Sequence, residues 1–109
     1  MAHDERIAQR AREEMQDLPG FTEKKMFGGV GFLLWGNMAC GVNGDDFIVR
    51  VGKDGNDEAL SQPHTRVFDM TGKPMPGWIL VRPEGVNSQA DLRRWIDRGV
   101  KFTLTLPPK

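Results

Sequence analysis

A chain of 109 residues in which 15 Lys and Arg balance 15 Asp and Glu carries no formal net charge. That length fits one domain able to bury about two-thirds of its unfolded surface. With 39% hydrophobic and 28% charged residues, the chain is neither disordered nor fibrous, and its neutral balance argues against tight nonspecific DNA binding, which needs a cation for each phosphate contacted.

In chain order, Asp4 can cap a first helix and Glu5 favours its first turn. Ile7, Ala11, Met15 and Leu18 draw one apolar stripe, with Arg6, Arg10, Arg12, Glu13 and Asp17 mostly off it as a solvated face. Pro19-Gly20 ends this helix. Residues 26–42 then run without a charge through glycine, methionine and aromatics, so burial is expected, with bends at the glycines.

Three strands are expected within 24–51 as an antiparallel meander. Lys25-Met26-Phe27 leads into the turn-capable pair Gly28-Gly29, 30–35 is an apolar run, Gly36-Asn37 turns, and 38–42 returns. Asn43-Gly44-Asp45-Asp46 turns again into Phe47-Ile48-Val49-Arg50-Val51, whose alternation sets Ile48 and Arg50 opposite the other three. A short helix over 54–60 stops before Gln62-Pro63. Strands over 66–69 and 78–82 flank the proline-stiffened loop Met70-Thr71-Gly72-Lys73-Pro74-Met75-Pro76-Gly77. Ser88 with Asp91 resembles a capping box and opens a last helix, apolar at Leu92, Trp95, Ile96, Gly99 and Phe102. The order α-β-β-β-α-β-β-α makes the fold class α+β, a two-layer domain over 1–109 with helices packed on an antiparallel sheet. The three tryptophans are expected to help fill the layer between them.

Candidate chemistry is sparse. Gly28, Gly29 and Gly31 do not form a dinucleotide fingerprint, since Leu34 stands where a third glycine is needed, and no Gly-Lys-Ser/Thr is near. Cys40, the single cysteine, and His64 are the one conceivable thiol–imidazole pair, but Cys40 sits in an apolar strand, as a small buried hydrophobe does. No internal disulfide is possible, which suits a reducing cytoplasm. His3 and His64 lack metal-ligand spacing, and Asp45, Asp46, Asp54, Asp57 and Glu58 read as turn and cap residues. We therefore expect no catalytic, cofactor-binding or metal-binding residues, no cofactor, no membrane span and no signal peptide. Arg93, Arg94, Arg98 and Lys101 make a basic side on the last helix without a helix-turn-helix partner, so direct nucleic-acid binding is expected to be absent or weak.

Four ordered motifs carry a family resemblance: Met26-Phe27-Gly28-Gly29-Val30-Gly31-Phe32, then Gly36-Asn37-Met38-Ala39-Cys40-Gly41-Val42, then Phe68-Asp69-Met70-Thr71-Gly72-Lys73-Pro74-Met75 with Gly77-Trp78, and the ending Leu106-Pro107-Pro108-Lys109 after a helix bearing Leu92 and Trp95. Over nearly the whole chain this resembles the N-terminal domain of the TfoX/Sxy family of bacterial proteins. The resemblance implies a two-layer α+β fold and a link to competence and transcription regulation, exerted together with the cyclic-AMP receptor protein. Better-known members carry a second, C-terminal domain, so a stand-alone domain is expected here. The resemblance brings no catalytic residues. It favours a small cytoplasmic, non-enzymatic interaction module acting through a protein partner, with the transcription machinery or cyclic-AMP receptor protein as candidates. A homodimer through the exposed sheet side or a free strand edge is a further expectation. The alternatives are an enzyme or a small-ligand or RNA-binding protein with a pocket near the 69–77 loop, where Asp69, Thr71 and Lys73 are the polar groups, and a weak direct DNA binder.

Overall fold

The computed structural model describes residues 4–26, 29–68 and 75–109, with Met26 through its backbone alone. Its elements are α1 (Glu5–Met15), β1 (Phe21–Met26), β2 (Gly29–Leu34), β3 (Asn37–Asn43), β4 (Asp46–Arg50), a 3-10 turn (Lys53–Gly55) running into α2 (Asn56–Leu60), β5 (Thr65–Val67), β6 (Trp78–Val81), a second 3-10 turn (Pro83–Val86) and α3 (Gln89–Thr103). All strands pair antiparallel in one sheet, in the order β1-β2-β3-β4-β6-β5. The α+β class and the element order agree with the sequence reading. The segment around Lys25 is a complete additional strand, β1, ahead of the three in the meander.

Both long helices start as their sequences direct. The Asp4 carboxylate accepts from the amides of Arg6 and Ile7, and the Ser88 hydroxyl accepts from the Asp91 amide, so each cap satisfies helix donors that have no intrahelical partner. Helix α1 buries Ile7, Ala8, Ala11 and Met15, and α3 buries Leu92, Trp95, Ile96, Gly99 and Thr103. These meet Val30, Phe32, Cys40, Val42, Phe47, Val49, Ile79 and Val81 of the sheet in one core. Register explains the set: Phe32 pairs with Cys40, Cys40 with Val49, and Val49 with Ile79, so one side of four neighbouring strands is apolar. Gly99 lets α3 approach closely, because a Cβ there would lie 2.5 Å from the Ala39 carbonyl oxygen.

Several local expectations are corrected. The second hairpin turns at Trp35-Gly36 rather than Gly36-Asn37, and both residues have positive φ (54° and 85°), the backbone of a two-residue turn matched to strand twist. Asn37 instead opens β3 and donates from its buried side chain to the Pro107 carbonyl, while the Lys109 amide donates to the Trp35 carbonyl. The tail 104–109 is thus tied to that turn. Trp35 is 49% exposed, lying over Gly20, and half-buried Trp78 is outside the core, so Trp95 alone of the three tryptophans joins the helix–sheet layer. Gly29, read as a turn residue, begins β2 opposite Met26, and the register shift in β2 falls at Phe32/Leu33. Phe27 and Gly28, and with them the rest of that expected turn, lie outside the described residues. On α3, Thr103 takes the buried place expected of Phe102, which is half-buried.

Candidate recognition groove

Strand β4 ends in Arg50, whose cross-strand neighbour in β6 is Trp78. Beyond Arg50 the chain turns at Gly52, with φ +82°, and the amides of Val51 and Gly52 both donate to the Gly77 carbonyl (2.8 and 3.1 Å). The Gly77 amide donates to the Asn56 side-chain oxygen at 2.9 Å, fixing α2 to the same corner. Gly52 has no room for a side chain, since a Cβ would collide with the Phe102 ring from the end of α3. Three segments, 50–54, 76–78 and Phe102, line a surface groove of about 490 Å³.

The Arg50 guanidinium lies 4.9 Å from the centre of the Trp78 ring and 5.6 Å from that of Phe102. Aromatic faces attract cations, and both rings are within reach of the guanidinium. Half-buried arginines elsewhere have hydrogen-bond acceptors: Arg10 the carbonyls of Val86 and Asn87, Arg12 the Glu23 carboxylate, Arg98 that of Glu58. Among the described residues, Arg50 is the half-buried arginine with neither an acid nor a hydrogen-bond acceptor. Loss of water alone pushes its pKa down, although Asp54 lines the same groove. It stays charged at neutral pH, and no described residue accepts from its five donors.

A second groove and the basic side of α3 are largely paired within the chain. That groove, of about 300 Å³, contains His64, Glu84, Asp91, Arg94 and Arg98, but Arg94 is paired with Asp91, and Arg98 with Glu58 while lying 5.0 Å from the centre of the Trp95 ring. Arg93 binds Glu14 of α1 at 3.1 Å. Three of the four cations on the basic side of α3 are therefore neutralised within the chain. Of the clustered acids, Asp46 pairs with Arg66 and Glu58 with Arg98, and no group of three His, Cys, Asp or Glu able to hold a metal occurs among the described residues. Cys40 is fully buried, its thiol donates to the Met15 sulfur at 3.3 Å, and burial pushes its pKa well up. His64 precedes β5, which β4 and β6 separate from the β3 strand of Cys40, so the two do not form a catalytic pair.

The free edges are poorly suited to pairing. Edge strand β1 exposes Lys24 and Lys25, and edge strand β5 has three residues, including Arg66. The side of the sheet away from the helices is not an open apolar face, because Ile48 and Leu80 are 5% and 3% exposed. Asp69, Thr71 and Lys73, the polar groups expected to line a pocket, lie outside the described residues. The groove that is formed borders the same loop at Pro76 and Gly77. Sequence reading missed Arg50, Trp78 and Phe102 as a unit; its one signal was a cation closing an otherwise apolar strand, followed by Gly52.

No described helix is long and apolar enough to cross a membrane. No curated protein matches the chain, and no solved structure does. The model of the TfoX N-terminal domain matches residues 13–103, from the last turn of α1 to the last residue of α3. With most of its length matched, the chain belongs to the TfoX N-terminal domain family.

Proposed function

We propose that this chain is a non-enzymatic, cytoplasmic regulatory module that acts by binding a protein partner through the Arg50 groove. The observation that carries this reading is the half-buried Arg50 guanidinium close to the Trp78 and Phe102 rings, with no acid partner among the described residues. Arginine and tryptophan in a partly dry recess are the residues that dominate binding energy at protein interfaces. Family membership supports a role in regulation, and the transcription machinery and cyclic-AMP receptor protein are the first partners to try. The neutral net charge and the paired arginines of α3 favour local recognition over a broad electrostatic hold on DNA.

The test is comparative affinity capture from native lysate with the wild type, Arg50→Ala and Arg93→Ala, each shown to be folded. A protein retained by the wild type and Arg93→Ala but lost with Arg50→Ala is expected. Retention that is indifferent to Arg50, or lost with Arg93→Ala, overturns the assignment. A second reading, a small-ligand pocket beside the 69–77 loop, draws on the same groove, whose volume is within the range of ligand sites. A thermal-shift screen against nucleotides and S-adenosylmethionine separates the two, since a bound ligand raises stability by mass action.

A further inference from the structure

The chemistry of the groove restricts what anion it can take. Phosphate sites are built from backbone amides and several cations converging on one point. Here the amides of Val51, Gly52 and Gly77 are already donated within the protein. The short turn at Lys53–Gly55 also borders the groove, and there the Gly55 amide returns to the Gly52 carbonyl. One fixed guanidinium remains, with Lys53 as a second, exposed cation and Asp54 on the rim repelling a dianion. A guanidinium within cation–π reach of two rings keeps five N–H donors in a planar fork, a geometry that matches the two oxygens of a singly charged, planar carboxylate. The remaining lining, Trp78, Phe102, Pro76 and the glycines, is apolar and suits the side chain beside such an acid.

We propose that the groove receives an acidic protein segment, with one Asp or Glu carboxylate in a two-pronged pair with Arg50, a neighbouring apolar side chain against Trp78 and Phe102, and a second acid near Lys53. This rests on the interaction-module reading and specifies its partner. The charge complementarity is local. Because the whole chain is neutral, a segment that is acidic without the apolar side chain gains little.

The experiment is a titration of the isotope-labelled full chain with a capped peptide of four Asp-Leu repeats, read by the Trp78 indole and the amides of Gly52 and Gly77. Saturable shifts confined to those groups are expected. The Asn-Leu analogue should leave them still, and Arg50→Gln should weaken binding by roughly tenfold or more, the worth of a hydrogen bond to a charged group. Arg50→Lys, which keeps the charge without the fork, should bind more weakly than the wild type, and Lys53→Ala should lose a few-fold, providing a second variant at an exposed position. Equal shifts from inorganic phosphate or glutarate at the same concentrations overturn the proposal in favour of a small anion. Shifts centred on Arg94 and Arg98 also overturn it. If the peptide leaves the groove silent while Arg50-dependent capture of a protein persists, the acidic-segment proposal fails alone and the interaction reading stands.

Discussion

Replacing Gly99 by Ala sets two familiar effects against each other, and the structure decides between them. In a helix interior, Gly→Ala normally stabilises by about 1 kcal/mol. At Gly99 the new Cβ would lie 2.5 Å from the Ala39 carbonyl oxygen, closer than real Cβ contacts come, and 3.3 Å from its carbon. Both partners are backbone, one in α3 and one in β3, so no side-chain rotation relieves the clash. The helix must retreat by about half an ångström or more, loosening Leu92, Trp95 and Ile96 from the sheet. Overpacking of this kind costs about 1–3 kcal/mol, and rigidity on both sides places this case in the upper part of that range. Against the propensity gain, a net loss of about 1–2 kcal/mol is expected. In urea unfolding followed by tryptophan fluorescence the midpoint should fall with an unchanged slope, and Tm should drop by roughly 4–8 °C for each kcal/mol. Asp97→Ala, exposed on the same helix, serves as the control and should stay within about 0.5 kcal/mol. A Gly99→Ala protein more stable than the wild type would refute the close packing of α3 on β3.

Asp4→Ala should cost about 1 kcal/mol of unfolding free energy, measured in urea, because two amides of α1 lose their acceptor. Partial burial opposes ionisation of Asp4, but the amides of Arg6 and Ile7 outweigh it and lower the pKa. A carboxyl whose folded pKa is lowered stabilises above its unfolded value and loses that contribution as pH falls. The Asp4→Ala deficit should therefore shrink in acid below about pH 4. Cys40 behaves in the opposite sense: burial raises its thiol pKa, so its contribution is complete below the unfolded value near 9 and is lost as pH climbs. Stability should decline above about pH 9 in the wild type, and less steeply in Cys40→Ala. Iodoacetamide should label Cys40 in urea and leave the folded protein unmodified, as mass spectrometry can report. Labelling of the folded protein at a free-thiol rate would contradict its burial against Met15.

The helices were legible in the sequence because their signals are local. Asp4 and Ser88 mark starts that depend on the next three residues, and Leu92, Trp95, Ile96 and Gly99 keep helical spacing whatever surrounds them. Strand β4 was equally clear, since Phe47 and Val49 alternate with Ile48 and Arg50. Strand β1 was read as a fragment because an edge strand needs little apolar surface, and its Glu23 is held by Arg12 of α1 rather than by the core. The Trp35-Gly36 turn was displaced by one residue because tryptophan is a poor guess at positive φ; here its ring covers Gly20. The groove was hidden for a different reason. Arg50, Gly77, Trp78 and Phe102 come from three stretches of chain that meet only after the sheet has paired β4 with β6, and no spacing rule links them. The basic side of α3 was visible in the sequence, but its neutralisation by Glu14, Asp91 and Glu58 was not, because two of those three acids sit on other helices.

Site-specific photocrosslinking in cells tests the central assignment most directly. A photoreactive phenylalanine analogue placed at exposed Lys53, on the rim of the Arg50 groove, is compared with one at exposed Asp97 on α3. The account expects a discrete protein adduct from position 53 that disappears when Arg50→Gln is added, and none from position 97. An adduct from position 97 alone, or one from position 53 that survives Arg50→Gln, would contradict it.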